Sequence, residues 1–202
     1  MKKKIAFLLV FVIFLSSCEL IQQEDNTPKL ISQFAASAIA SDSYGGNGQN
    51  KDDQSPFSAT GKPEIKNCDD SKYAWTTSKE DDGVHWLELN YDVPVYVNKI
   101  RVYENFNPGS IVKIELKKFD SNDYELFWEG TYKTKQCPFV FEKEYYFIEG
   151  NITKNITSFK SDAVKLTINT DIPGWNEIDA VELIGFEKKF SYLNGTLIIE
   201  NE

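Results

Sequence analysis

The chain has 202 residues, with 22 Lys+Arg against 31 Asp+Glu and a net charge of −9 at neutral pH. That balance argues against a nucleic-acid partner, which needs a basic face to neutralise phosphates. With 41% apolar and 14% aromatic residues the chain can build one core of moderate size, and hence one domain.

The N-terminus opens on Met1-Lys2-Lys3-Lys4, followed by an unbroken apolar run from Ile5 to Leu15. The run has the length of a signal-peptide core and is too short to span a bilayer as a helix. Leu15-Ser16-Ser17-Cys18 is similar to the lipobox of bacterial lipoproteins, in which the cysteine is lipidated and becomes the new N-terminus. The resemblance implies a signal peptide over 1–17, a lipid on Cys18 and a flexible tether over 18–31. Each buried acyl methylene adds about 0.8 kcal/mol, so several chains on one residue anchor a domain stably. Cleavage removes three lysines and no acid, so the net charge falls from −9 to −12. The lipid, and not surface charge, would then hold the protein at a membrane. Glu19 to Asn26 is acidic and contains glutamine. It reads as a tether, and it also resembles the export signals of surface lipoproteins. The expected location is the bacterial cell envelope, at the outer membrane, on its periplasmic face or on the cell surface.

Cys68 and Cys137 remain for a candidate disulfide outside the cytoplasm, with two free thiols as the alternative. Closing a loop of that length contributes about 4 kcal/mol in the chain-entropy description. No cysteine or histidine spacing points to zinc. Residues 43–56 are rich in Gly, Asn, Asp and Ser and read as a loop.

From residue 84 on, period-two alternation dominates. Leu87, Leu89 and Tyr91 form one set; Val95 and Val97 precede Ile100 and Val102. Val112, Ile114 and Leu116 form another, and Val164, Leu166 and Ile168 a third. These are strands with one face in the core and one in water. Turn signals separate them at Asp92-Val93-Pro94, Asn107-Pro108-Gly109, Asp120 to Asp123 and Ile172-Pro173-Gly174. Strands at about ten-residue spacing without helical periodicity predict an antiparallel β-sandwich. In the tail, 187–202, Asn194-Gly195 between apolar runs predicts a C-terminal β-hairpin, set apart from the sandwich strands in sequence, that either adds strands to a sheet edge or projects as a small appendage.

Several motifs carry a family resemblance: Ala59 to Pro63, Ala74-Trp75, Trp86 to Leu89, Glu104 to Gly109 and Pro173 to Val181. Together they resemble a branch of the discoidin-like, galactose-binding-domain-like superfamily. The resemblance implies an all-β, eight-stranded jelly-roll sandwich over 32–186. In that superfamily, loops at one end bind glycans, lipid head groups or proteins, and many members are modules without catalytic activity. It also implies a structural calcium ion, although the usual aspartate of the early loop is replaced here by Thr60-Gly61-Lys62-Pro63. Calcium takes six to eight oxygens. Asp42, Asp70 and Glu182 are the main candidates, with Glu64 and Asp69 beside them.

The polar clusters allow two readings. Glu104, Asn107, Asn176, Glu177 and Asp179 either satisfy loop backbones at one end of the sandwich or line a polar ligand cleft there. In the second reading Trp175 and Trp75 are the stacking platforms for sugar rings. Tyr44 and Tyr73 sit in loops that can line a pocket, whereas Trp86 and Trp128 lie in strands. His85 is the sole histidine, and no nucleophile elbow, phosphate loop or histidine metal triad accompanies it. The expected protein is therefore a monomeric, non-catalytic, lipid-anchored binding module for a glycan or another envelope ligand. The alternative is a lipoprotein that docks an envelope protein.

Overall fold

The computed structural model describes residues 27–200, so the signal peptide, Cys18 and most of the tether lie outside the described residues. Among the described residues no helix is long and apolar enough to cross a membrane. The early strands are β1 (Leu30–Phe34), β2 (Ser37–Ala40), β3 (Val84–Phe106), β4 (Ile111–Lys118), β5 (Tyr124–Glu129) and β6 (Phe139–Glu144). They are followed by β7 (Phe147–Glu149), β8 (Ile152–Lys154), β9 (Lys160–Asn169), β10 (Glu177–Phe186), β11 (Phe190–Leu193) and β12 (Thr196–Ile199). A short 3-10 turn, Pro56–Ala59, lies in the long loop after β2.

β3 organises the sandwich. Its first part, Val84 to Asn90, pairs with β9 and, from Leu87 on, with β2. Its last part pairs with β10 on one side and β6 on the other. The strand therefore belongs to both layers: β2-β3-β9-β4-β5 and β1-β10-β3-β6. A turn is expected at Asp92-Val93-Pro94; the structure has a bulge inside a continuous 23-residue strand instead. Two features make the bulge tolerable. Pro94 has no N–H to lose from a ladder, and the Gln33 amide donates to Val93 O (2.6 Å) while its oxygen accepts from Val93 N (3.2 Å).

The inward faces meet in one antiparallel jelly-roll core. Leu87, Leu89, Ile114, Leu116, Val164 and Leu166 come from one layer, and Ile100, Val102, Phe141, Val181 and Leu183 from the other. Fully burying a Leu or Val side chain contributes roughly 1.5–3 kcal/mol, so the alternation read in the sequence is also the main stabilising term. One position differs. Alternation puts Val112 inward with Ile114, but Ile111 is buried and Val112 is half-buried. A register irregularity between Ile111 and Lys113 on β9 turns the strand by one residue there.

The tail forms the expected hairpin, its Asn194-Gly195 turn having positive φ at both residues (50° and 82°), the form that matches strand twist. Of the two placements expected for it, the hairpin takes strand addition. β11 pairs with β8, and β8 with β7, giving a second sheet, β12-β11-β8-β7. Phe190 fixes it to the body by packing against Phe186 and Tyr96. The first strand also begins earlier than residue 32, since Leu30 already pairs with Phe186.

Cys68 and Cys137 are joined in a disulfide. It ties the loop between the 3-10 turn and β3 to the segment entering β6. Replacing both cysteines by serine is expected to lower unfolding free energy by up to about 4 kcal/mol, read as the denaturation midpoint of the variant against the oxidised wild type.

Candidate functional site

The end of the sandwich near the start of β10 is built by short polar side chains that hold backbone. The turn after β3 and the loop before β10 are clamped by two asparagines. Asn107 Nδ2 donates to Trp175 O (2.8 Å), and Asn176 Nδ2 donates to Asn107 O (2.8 Å). Gly174 (φ 94°) is required here, because a Cβ at that position would stand 2.8 Å from Asn107 Nδ2.

Three buried carboxyls complete the end. Glu104 accepts from Gly109 N (2.9 Å), which closes the Asn107-Pro108-Gly109 turn, and from the Tyr132 hydroxyl. Glu177 accepts from Ser71 N with both oxygens (3.1 Å each) and from Asn105 Nδ2. Asp179 Oδ2 accepts from Glu64 N and Ile65 N, each at 2.9 Å. These groups thus face loop backbone and neighbouring side chains. Glu177 and Asp179 lie two apart on β10 but bind different segments of the 64–71 loop, so they do not oppose each other across a cleft.

The aromatic candidates separate sharply. Trp75 is 1% exposed. It bridges to Ile178 through both backbone groups (2.9 and 3.0 Å), and its indole Nε1 donates to Asp42 O (3.2 Å). It is a core residue and not a stacking platform. Trp86 lies beneath Lys165 Nζ (4.7 Å), and Trp128 packs edge-on to Phe141 (4.8 Å). Trp175 is half-buried at the surface, and the 61%-exposed Tyr44 meets it edge-on, centroids 5.6 Å apart at 89°. Tyr44, Gln54, Asp70, Thr76 and Trp175 line a pocket of about 150 Å³. Gln54 Nε2 donates to Asp70 Oδ1 (3.4 Å). Of the expected ligand residues, the structure brings Trp175 into this pocket, together with Asp70, expected as a metal ligand. Gln54 and Thr76 were not signalled by any motif; Gln54 sits in the Gly/Asn/Asp-rich loop at positive φ (57°).

The calcium set is not assembled. Glu182 is held by Ser32, Arg101 and Tyr103 on the outer face of the β1-β10-β3-β6 layer. Asp70 is at the pocket. Asp42 lies instead with Asp82 and His85, their ligand atoms within 4.8 Å of one another. Two carboxylates and an imidazole do not make the all-oxygen shell that calcium takes. His85 Nε2 is already paired with Asp82 Oδ1 (2.8 Å), and Asp42 Oδ2 accepts from Ser78 N (2.7 Å).

Burial pushes the Glu104 carboxyl up to about 7, against the downward pull of Tyr132 and Gly109. Burial, joined by the adjacent Asp70, pushes Glu177 up to about 8, with Asn105 and Ser71 opposing. Burial also raises Asp179. All three bind a proton more tightly folded than unfolded, so their contribution favours folding most at low pH and is lost as pH rises. Unfolding midpoints are expected to fall from about pH 4.5 to about pH 8 and then level off. Glu104→Gln and Glu177→Gln each flatten that slope. A midpoint that climbs through this window contradicts the assignment.

The fold places the chain among known proteins. Truncated AlyQ, with CBM32 and alginate lyase domains, aligns with a TM-score of 0.50 at 15% identity, covering 81% of this chain and 35% of that one. The family 32 CBM of NanJ from C. perfringens, in complex with galactose, aligns at 0.49 and 15% identity, covering 76% and 99%. A chitosan-binding module of a chitosanase/glucanase from Paenibacillus sp. IK-5 aligns at 0.48 and 12% identity, covering 73% and 92%. Among curated proteins none matches. The family model described as pappalysin-1, SD scarf domain, C-terminal, matches residues 23–192, and over that span the chain belongs to the pappalysin-1 C-terminal SD scarf domain family.

Proposed function

We propose that this protein is a non-catalytic carbohydrate-binding module, lipid-anchored through Cys18 in a bacterial cell envelope. The observation that carries the reading is the pocket of Tyr44, Trp175, Asp70, Gln54 and Thr76. A sugar ring offers an apolar C–H face and a rim of hydroxyls. Trp175 and Tyr44 suit the face, and the carboxylate and amide of Asp70 and Gln54 suit the rim; Thr76, buried with its hydroxyl donating to Asn176 O (2.9 Å), forms the pocket wall. The AlyQ likeness supports the fold such a module needs. One carboxylate lines the pocket, whereas glycoside hydrolysis takes two flanking the scissile bond.

The geometry also suits an anchored binder. β1 runs antiparallel to β10, pairing Leu30 with Phe186, while Glu177 and Trp175 lie at the other end of β10. The ten residues of β10 span about 30 Å at roughly 3.3 Å per residue. A tether entering at Leu30 therefore joins the sandwich at the end opposite the pocket. A second reading, docking of an envelope protein, rests on β12. This edge strand exposes Leu197 and Ile198, and a partner strand can add to such an edge.

The test is thermal unfolding of the full chain against a panel of polysaccharides. A ligand at a hundred times its dissociation constant stabilises by about 2.7 kcal/mol. The expected result is a glycan-specific upward shift that Trp175→Ala and Tyr44→Ala remove while the unliganded midpoint stays within about 0.5 kcal/mol of wild type. No shift with any glycan, and partner capture that ends on deleting 187–202, supports the second reading. For the anchor, Cys18→Ser is expected to release the protein from the membrane fraction; retention with unchanged mobility overturns the lipid assignment.

A further inference from the structure

A second cavity, about 240 Å³, lies beside the disulfide, apart from the Trp175 pocket. Its walls are the 63–66 loop, the end of β3 and the start of β6. Pro63, Ile65, Phe139 and Val140 give it an apolar side. Asn105 and Asp179 give it a polar side, and both are 1% exposed.

Those two residues are the notable ones. Asp179 spends Oδ2 on the loop amides, and Asn105 spends Nδ2 on Asp69 O (3.1 Å) and Glu177. Their other oxygens, Asp179 Oδ1 and Asn105 Oδ1, are buried and have no hydrogen-bond partner. Buried acceptors without donors are rare in folded proteins, and each calls for an explanation. Two of them on residues lining one half-apolar cavity are explained together if a donor-bearing molecule fits there.

We propose that this cavity is a second binding site, for a small neutral polyol of monosaccharide size. The volume is just under the roughly 300–1,000 Å³ of sites for drug-sized ligands. Hydroxyls supply the donors that both oxygens lack, and the C–H face of the same molecule covers Phe139, Ile65 and Pro63. Lys66, exposed on the lining loop, offers ammonium donors to the hydroxyl oxygens. A cation is the poorer fit, because the Lys51 ammonium already stands within electrostatic reach of Asp179. The Cys68–Cys137 bond holds the two walls, at Lys66 and Pro138, in register.

The experiment follows the Asn105 side-chain amide by ¹H–¹⁵N NMR in the full chain, with galactose, glucose, glycerol and ethylammonium chloride as separate probes. The expected result is a saturable shift of that amide with a sugar or with glycerol. The shift persists in Trp175→Ala and is lost in Val140→Trp, which fills the mouth at a 44%-exposed position. Lys66→Ala, on an exposed loop, weakens the shift and serves if the tryptophan variant does not fold. No shift with any polyol overturns the proposal and leaves the two oxygens to ordered water. A shift with ethylammonium alone overturns the ligand class. A shift that disappears in Trp175→Ala assigns the effect to the loop-end pocket and also overturns it.

Discussion

A buried backbone N–H without an acceptor costs about 1–3 kcal/mol, and the 64–71 loop avoids that cost by turning three of them onto two carboxyls of β10. Glu64 N and Ile65 N go to Asp179, and Ser71 N goes to Glu177. The loop carries no regular secondary structure between Pro63 and Ser71, so it has no ladder of its own to satisfy those groups. Its position depends on the two acids, with the disulfide at Cys68 as a covalent third point. Both cavities use this loop: Asp70 lines one, and Ile65 and Lys66 line the other. The desolvation of the acids is the cost of that arrangement, and it appears as carboxyls raised toward neutrality.

The long β3 strand sets where this loop end falls. One strand that serves both layers fixes their relative placement through covalent continuity. Its bulge, stitched by Gln33, is the point where the chain passes from one layer to the other. Downstream of the bulge the strand runs to Glu104, Asn105 and the turn at 107–109, which contact the loop before β10. The polar end of the molecule is therefore assembled by residues at the close of β3 and the opening of β10, two neighbouring antiparallel strands.

The strand pattern was legible in the sequence because burial on one face is a local, period-two property. Leu87, Leu89, Leu166 and Ile168 are core residues for that reason. What failed was set by distant partners. Trp75 sits in a polar stretch and gives no local sign of burial; its environment comes from Ile178, far along the chain. Ile111 replaces Val112 in the core because of a register shift that the neighbouring strand imposes. Asp42, Asp70 and Glu182 look alike as isolated acids, and only the topology sends them to three different places. β7 and β8, at three residues each, are too short to show a period. The pocket was half legible. Trp175 and Tyr44 announce themselves as loop aromatics, but Gln54 and Thr76 are ordinary polar residues until the fold brings them together.

Asp70 belongs to both the pocket and the anchoring network. It lines the pocket with Trp175, and its carboxyl lies against Glu177, where it raises the proton affinity of that group. Pocket and loop anchor are thus coupled through one pair of acids. We predict that Asp70→Asn, which removes the charge and keeps the shape, lowers the Glu177 carboxyl below its value of about 8, as followed by the ¹³C shift of its side-chain carboxyl through a pH titration. Burial still holds it above the ordinary glutamate range, because desolvation is the larger cause. An unchanged titration would mean that burial alone sets Glu177. A lowered one would mean that the charge of Asp70, beside burial, sets how tightly Glu177 holds its proton, so that the pocket and the loop anchor share one electrostatic environment.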